Sequence, residues 1–287
     1  MDVVLVYNGL GNQMSQYALF MSKKALGQKV RRVFWNNDHN GIELQEVFGI
    51  STRMGCVDWL LKRLCLMLYH DTIPSVCRLV AKLGVSFFIE DLNHSFQPSV
   101  LEASKGLMFW IGGWHHPAYF ESIARPLREM YRFPVVDDES NQDVLSDAQK
   151  VNAVAIHIRR GDYLVGDNYR YLGTVCTDKY YRNAISYMEN RLQANPKFYV
   201  FSNDMQWSRA FMKGKDCIFV DWNTGRESWK DMYLMSQFGN LIISNSTFSW
   251  WAAYLGNRNK TVCRPPFFIN NEVAPGFYLD DWIEISN

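Results

Sequence analysis

Two adjacent arginines at the end of an apolar run are the sharpest chemical feature of this 287-residue sequence. In His157-Ile158-Arg159-Arg160-Gly161-Asp162-Tyr163 an apolar strand leads directly into two guanidinium groups and a glycine turn. Such a pair on a buried element is costly unless an anion satisfies it. The planar, permanently charged arginine fork suits phosphate oxygens bidentately, so the pair can hold a nucleotide diphosphate and stabilise it as a leaving group. Asp162 is placed to orient one arginine. On this heptapeptide alone, a structural Arg–Asp salt bridge explains the pattern equally well.

The segment Asn245-Ser246-Thr247-Phe248-Ser249-Trp250-Trp251 shifts the balance. Small polar residues at a strand-to-helix junction cap the helix and aim hydroxyls, backbone N–H groups and the helix dipole at an anion. An ordinary N-cap accounts for one of Ser246 or Thr247 but not for both plus Asn245. Trp250 and Trp251 read as core packing. A third strand ends in Phe201-Ser202-Asn203-Asp204, where a carboxylate can accept from the N1 and N2 donors of guanine, or Asp204 can cap a helix without any ligand. Near the amino terminus, Gly9-Leu10-Gly11-Asn12-Gln13 holds two glycines of the dinucleotide fingerprint and lacks its acidic partner, which is weak evidence for a nicotinamide cofactor. Asn12 and Gln13 offer neutral donors suited to sugar hydroxyls. No Asp-x-Asp ends a strand in the carboxyl-terminal half, which agrees with a site without a metal; no cofactor is expected either.

These residues need elements that bring strand ends together. Val3–Tyr7 and Val30–Trp35 read as strands around a helix at Gln13–Leu26, followed by helical spacing at Asp58–Tyr69 and Pro74–Leu83 and strands at Val85–Glu90 and Gly106–Ile111. Beyond the polar stretch Asp137–Lys150, strands at Ala153–Ile158, Lys197–Ser202, Cys217–Val220, Asn240–Ser244 and Thr261–Cys263 alternate with helices at Asp178–Leu192, Met205–Met212, Glu227–Phe238 and Thr247–Leu255. That alternation predicts a parallel sheet covered on both faces, whose ligands lie beyond the carboxyl ends of its strands. The fold class is α/β, with a smaller, irregular α/β domain over residues 1–140 and a Rossmann-like domain over 141–287.

Thirty basic against 29 acidic residues leave a formal charge of +1, so no global field is available to hold nucleic acid. Six cysteines without a CxxC pair read as reduced thiols of a cytoplasmic protein. Met1-Asp2 with a short apolar run reads as a strand rather than a signal peptide, and Lys62 and Arg63 interrupt the most apolar stretch, Trp59–Tyr69. Between Ser51 and Val85, Arg53, Lys62, Arg63, Arg78 and Lys82 face only Asp58 and Asp71. With Trp59, Leu60 and Leu64 they form a face suited either to a membrane surface, if the acceptor is lipid-linked, or to packing within the domain.

Gly11-Asn12-Gln13-Met14 with Gln16-Tyr17-Ala18, the His157–Tyr163 and Phe201–Asp204 segments, and Ser244–Trp251 occur in the order found in α-1,2-fucosyltransferases, which the chain resembles from residue 8 to residue 255. The resemblance implies a GT-B-like arrangement of two Rossmann-like domains facing a cleft. It implies metal-independent transfer of L-fucose, with inversion, from GDP-fucose to a galactose-containing acceptor glycan. It makes Arg159 the β-phosphate contact with Arg160 in support, Asn203 and Asp204 guanine or ribose contacts, and Ser246 and Thr247 diphosphate contacts. Asn12 becomes a donor near the fucose–phosphate linkage, with Gly11, Gln13, His115, His157, Asp162 and Asn245 as further substrate-binding positions. The general base stays open between Asp167, just past the arginine motif, and His115 or His116 at a strand end of the acceptor half. Competing readings are a transferase for another GDP-sugar and a nucleotide-sugar or glycan-binding protein without turnover.

Overall fold

Runs such as Asp2–Val6 and Ala153–Ile158 are buried along their whole length, the pattern of a parallel strand covered on both faces. The computed structural model describes residues 1–35, 39–70, 72, 74–192, 195–256, 259–270 and 272–287, without the side chains of 74 and 76–78. It divides into one unit of Met1–Arg132 with Pro275–Phe277 and a second of Phe133–Ala274 with Tyr278–Asn287.

The first unit runs β1 (Asp2–Val6), α1 (Leu10–Ala25), β2 (Val30–Phe34), α2 (Leu44–Phe48), α3 (Cys56–Tyr69), α4 (Pro74–Lys82), β3 (Val85–Ile89), β4 (Leu107–Ile111) and α5 (Ala124–Met130). Its strands pair in parallel in the order β2-β1-β4-β3. Val3 and Leu5 of β1 point to one face with Val33, Phe109 and Ile111. There they meet Leu61, Cys65 and Leu68 of α3, whose i, i+4, i+7 spacing makes one helical stripe.

The second unit runs α6 (Glu139–Ala148), β5 (Ala153–Ile158), α7 (Asp178–Leu192), β6 (Lys197–Ser202), α8 (Met205–Phe211), β7 (Cys217–Val220), α9 (Trp229–Ser236), β8 (Asn240–Ile242), α10 (Thr247–Leu255), β9 (Thr261–Arg264) and β10 (Ile283–Glu284). All pairs are parallel, in the order β10-β9-β8-β5-β6-β7. Counted from β5, the order across the sheet is 3-2-1-4-5-6, that of the Rossmann fold. Val154, Ile156 and Ile158 pack with Tyr181, Ala184, Ile185 and Met188 of α7.

Both halves are therefore Rossmann-like, and most predicted elements agree with the observed ones to within a few residues. The polar stretch 137–150 differs, because it holds α6. Asp138 caps this helix by accepting from Asn141 N, and its buried stripe is only Asn141, Val144 and Ala148, too polar to stand out as amphipathic. The helices α2 and α5 and the two-residue β10 were likewise not anticipated, being too short to show a period.

Candidate functional site

In an open parallel sheet, ligands bind beyond the strand ends where the strand order reverses. In the second unit that point lies between β5 and β8, which pair through Ala155↔Leu241 and Ile156↔Ile242. Arg159 and Arg160 leave the end of one, and Ser244 to Thr247 the end of the other.

Arg159 Nη2 donates to Asp162 Oδ2 at 2.8 Å. The Arg160 guanidinium carbon stands over the Trp207 ring, 3.9 Å from its centroid, and Nη1 donates to Asp178 Oδ1 at 3.2 Å. Its backbone N–H donates to Asn203 Oδ1 at 2.9 Å, and Asn203 Nδ2 donates to Asp162 Oδ1 at 2.8 Å. Asp162 and Asn203 thus tie the loop after β5 to the end of β6. A Cβ on Gly161 would stand 2.9 Å from Asn203 Nδ2, which explains the glycine. The Nε atoms of both arginines are buried without a hydrogen-bond partner. Two orphaned cationic donors on successive residues are an arrangement that a polyoxygen anion would relieve.

The flanking residues divide between bracing and presentation. Asp204 caps α8, with Oδ1 accepting from Trp207 N at 3.1 Å, while Oδ2 stands 3.9 Å from Arg160 Nε. Ser246 caps α10 by accepting from Phe248 N at 3.3 Å, and Thr247 begins that helix. Asn245 is a brace: fully buried, it donates from Nδ2 to Leu172 O at 3.2 Å and to Phe268 O at 3.0 Å. His157 Nδ1 meets Ser244 Oγ at 2.8 Å. Burial, and then the nearby Arg159 charge, push its pKa down to about 3, so a neutral imidazole links the ends of β5 and β8. Asp167 is exposed past the arginine turn, in a short helical turn that leads into the π-helical segment Tyr169–Gly173.

The other predicted positions belong to the first unit, whose order reverses between β1 and β4. Gly11 is buried and Asn12 partly buried in the first turn of α1. Gln13 uses both amide hydrogens on backbone, to Asn8 O at 2.6 Å and Gly41 O at 2.7 Å, and accepts from Glu43 N; it holds a loop. Gln16 links the two strand ends, accepting from Tyr7 N and donating to Gly112 O, each at 2.9 Å. The His115 ring is buried over Gly113, where a Cβ would come within 2.2 Å of it. Burial, and next the neighbouring His94, hold its pKa well below the usual histidine value. His116 Nδ1 accepts from Ala118 N, so Nε2 carries the proton donated to Pro275 O at 2.8 Å.

Sequence reasoning passed over Glu90 and His94, whose Oε2 and Nδ1 lie 3.0 Å apart. The available signal was a Glu-x-x-x-His spacing immediately after a strand. On α3, Trp59 and Leu60 are exposed as expected, whereas Leu64 packs against the core. Asp71 and the side chain of Arg78 lie outside the described residues. Cys56, Cys65, Cys176, Cys217 and Cys263 are free thiols, and the Cys77 side chain is likewise outside the description. Among the described residues no three or more His, Cys, Asp or Glu are grouped to hold a metal, and no helix is long and apolar enough to cross a membrane.

Residues 106–286, well over half of the chain, match the family model described as Glycosyl transferase family 11. An Escherichia coli protein named alpha-1,2-colitosyltransferase is 28% identical over 94% of this chain and 93% of its own length. Galactoside alpha-(1,2)-fucosyltransferase 1 of Saimiri boliviensis boliviensis is 37% identical over 49% of this chain, which corresponds to 40% of that protein. The crystal structure of NodZ alpha-1,6-fucosyltransferase soaked with GDP-fucose aligns over 89% of this chain and 92% of that one, at 13% identity and a TM-score of 0.49.

Proposed function

This chain belongs to glycosyl transferase family 11, and from that premise we propose that it transfers L-fucose from GDP-fucose to the 2-hydroxyl of a terminal galactoside, with inversion and without a metal. The observation that carries this reading is the arginine pair at the reversal of a Rossmann-ordered sheet, each arginine with a buried Nε that makes no hydrogen bond. As the C1–O bond of the donor breaks, positive charge grows on the sugar ring and negative charge on the diphosphate. Arg159 meets the β-phosphate with its fork, Arg160 supports it, and Ser246, Thr247 and the positive end of α10 complete the anion site. These groups take the charge that a divalent ion would otherwise neutralise. Asn203 and the Asp204 oxygen not used by the cap border the place for the nucleoside. Asn12 in the first unit is the donor offered to the sugar, and that unit is the acceptor-side half. The name of the Saimiri relative fits a galactoside acceptor.

A second donor is favoured by one specific observation, the relative matched along nearly the whole chain, which is named a colitosyltransferase. One assay decides. The purified protein is incubated with GDP-fucose and lactose in EDTA, and free GDP and the product linkage are read by chromatography and NMR. GDP release with a 2-linked β-to-α inverted product is expected. No release from GDP-fucose, with release from a GDP-colitose preparation, would transfer the proposal to the other sugar, and rescue by Mg²⁺ after inactivation by EDTA would overturn the metal-free mechanism.

A further inference from the structure

In the first unit β2 forms one edge of the sheet. Beside the start of that strand lies a surface cavity of about 410 Å³, whose lining includes Phe20, Lys24, Lys29, Arg31, Arg32 and Asp58. Four cations there face one carboxylate. Among the described residues only Arg31 of the four has a carboxylate partner, Nη1 donating to Asp58 Oδ1 at 2.7 Å. Arg32 donates from Nη2 to Ser51 O at 2.8 Å, its guanidinium carbon stands 5.2 Å from the centroid of the Phe20 ring, and its Nε is buried without a hydrogen bond. Lys24 at the end of α1 and Lys29 just before β2 are exposed. Like charges gathered without counter-ions repel one another, so an anion in this cavity is stabilised by all of them.

Asp58 also belongs to the first turn of α3, and the cavity therefore continues onto that helix. Leu61, Cys65 and Leu68 form its buried stripe. At about 100° per residue, Trp59 and Arg63 lie opposite that stripe, with Leu60 and Lys62 to either side. Val57, Trp59 and Leu60 are 50%, 51% and 68% exposed, and Lys62 Nζ stands 5.0 Å from the centroid of the Trp59 ring. A single exposed apolar residue needs no explanation, but three on one helix turn beside a basic cavity mark an interaction surface. A soluble anion or a nucleic acid would satisfy the cations and leave the apolar residues in water. A bilayer surface satisfies both: tryptophan and leucine enter the boundary between headgroups and acyl chains, while lysine and arginine are drawn to anionic headgroups. The cavity lies at the amino end of β2, whereas ligands of such a sheet bind beyond the carboxyl ends of its strands, so those ends stay clear.

We propose that this face of the first unit docks on an anionic phospholipid bilayer, the cavity receiving a lipid phosphate while Val57, Trp59 and Leu60 enter the interface. The attachment goes beyond the transfer reaction and does not depend on which sugar is moved.

The test sediments the full chain with vesicles of phosphatidylglycerol mixed equally with phosphatidylcholine, and with vesicles of phosphatidylcholine alone. Binding to the anionic vesicles only is expected, and it should weaken as NaCl is raised from about 0.05 to 0.5 M. Lys24→Gln combined with Lys29→Gln should lower the vesicle partition about 25-fold, at about fivefold per basic residue. Trp59→Ser combined with Leu60→Ser should lower it by about tenfold or more. All four positions are exposed, so both variants should keep native circular dichroism, a check that stands whether or not the protein transfers fucose. No sedimentation with anionic vesicles, equal binding to phosphatidylcholine, or an unchanged partition in both natively folded variants would overturn the proposal. A dimer seen by light scattering that Trp59→Ser with Leu60→Ser abolishes would overturn it too, by assigning the face to a second copy of the chain.

Discussion

Replacing Arg159 by lysine separates catalysis from folding, because the structure assigns very different magnitudes to the two effects. The Arg159–Asp162 pair spans 2.8 Å, with side chains 26% and 42% exposed. A pair this accessible to solvent contributes only about 0–1 kcal/mol to stability, and lysine keeps the charge, so Arg159→Lys should unfold within a few degrees of wild type. Its effect on the reaction is larger. Arginine presents a planar fork with one η nitrogen already on Asp162 and a buried, unpartnered Nε, and a single ammonium cannot reproduce that bidentate geometry. A preorganised donor used more in the transition state than in the ground state contributes about 2.7–4 kcal/mol, equivalent to roughly 10²–10³ in kcat. Steady-state GDP release should fall by that factor, while GDP binding by calorimetry changes far less and circular dichroism stays native. Near-normal turnover in a natively folded Arg159→Lys protein would show that charge development on the leaving group is handled elsewhere.

Arg160→Lys should be milder in kcat, whereas Trp207→Ala, which removes the ring beneath Arg160, should weaken GDP binding by about 0.5–1 kcal/mol; equal loss of kcat in Arg160→Lys and Arg159→Lys would reverse the roles. Gln16→Leu removes the amide joining Tyr7 N to Gly112 O and leaves both backbone groups without it. Urea unfolding should show a loss of about 2–4 kcal/mol, and an unchanged midpoint would refute that bridging role. Asp231 is held up to about 7 by burial, against a hydrogen bond from Asn223. A carboxyl raised in the fold loses stability as pH rises from its unfolded value toward the folded one. The unfolding free energy of Asp231→Asn relative to wild type should therefore climb between pH 4 and 7, by on the order of 1 kcal/mol per pH unit, and level off above; a pH-independent difference would contradict the burial argument.

What the sequence determined alone was local. Apolar runs such as Ala153–Ile158 declare strands buried on both faces, helical spacing in Asp178–Leu192 declares the helix that covers them, and the Arg159-Arg160 pair stands out because charge rarely follows such a run directly. Trp250 and Trp251 read as core and are buried at 2% and 0% exposure. Tertiary structure decided which strand ends meet. The pairing of β5 with β8 joins segments more than 80 residues apart, and no period within either segment encodes its neighbour. It also decided which polar residues are structural. Gln13 and Asn245 look like ligand donors in the sequence, but each satisfies backbone groups that only a particular set of loops leaves without partners. Glu90 and His94 show the converse. Their pairing depends on a nest made by Gly113 and Trp114, and that nest exists only once β3 and β4 lie side by side, because amides and carboxylates take their roles from backbone groups distant in the chain.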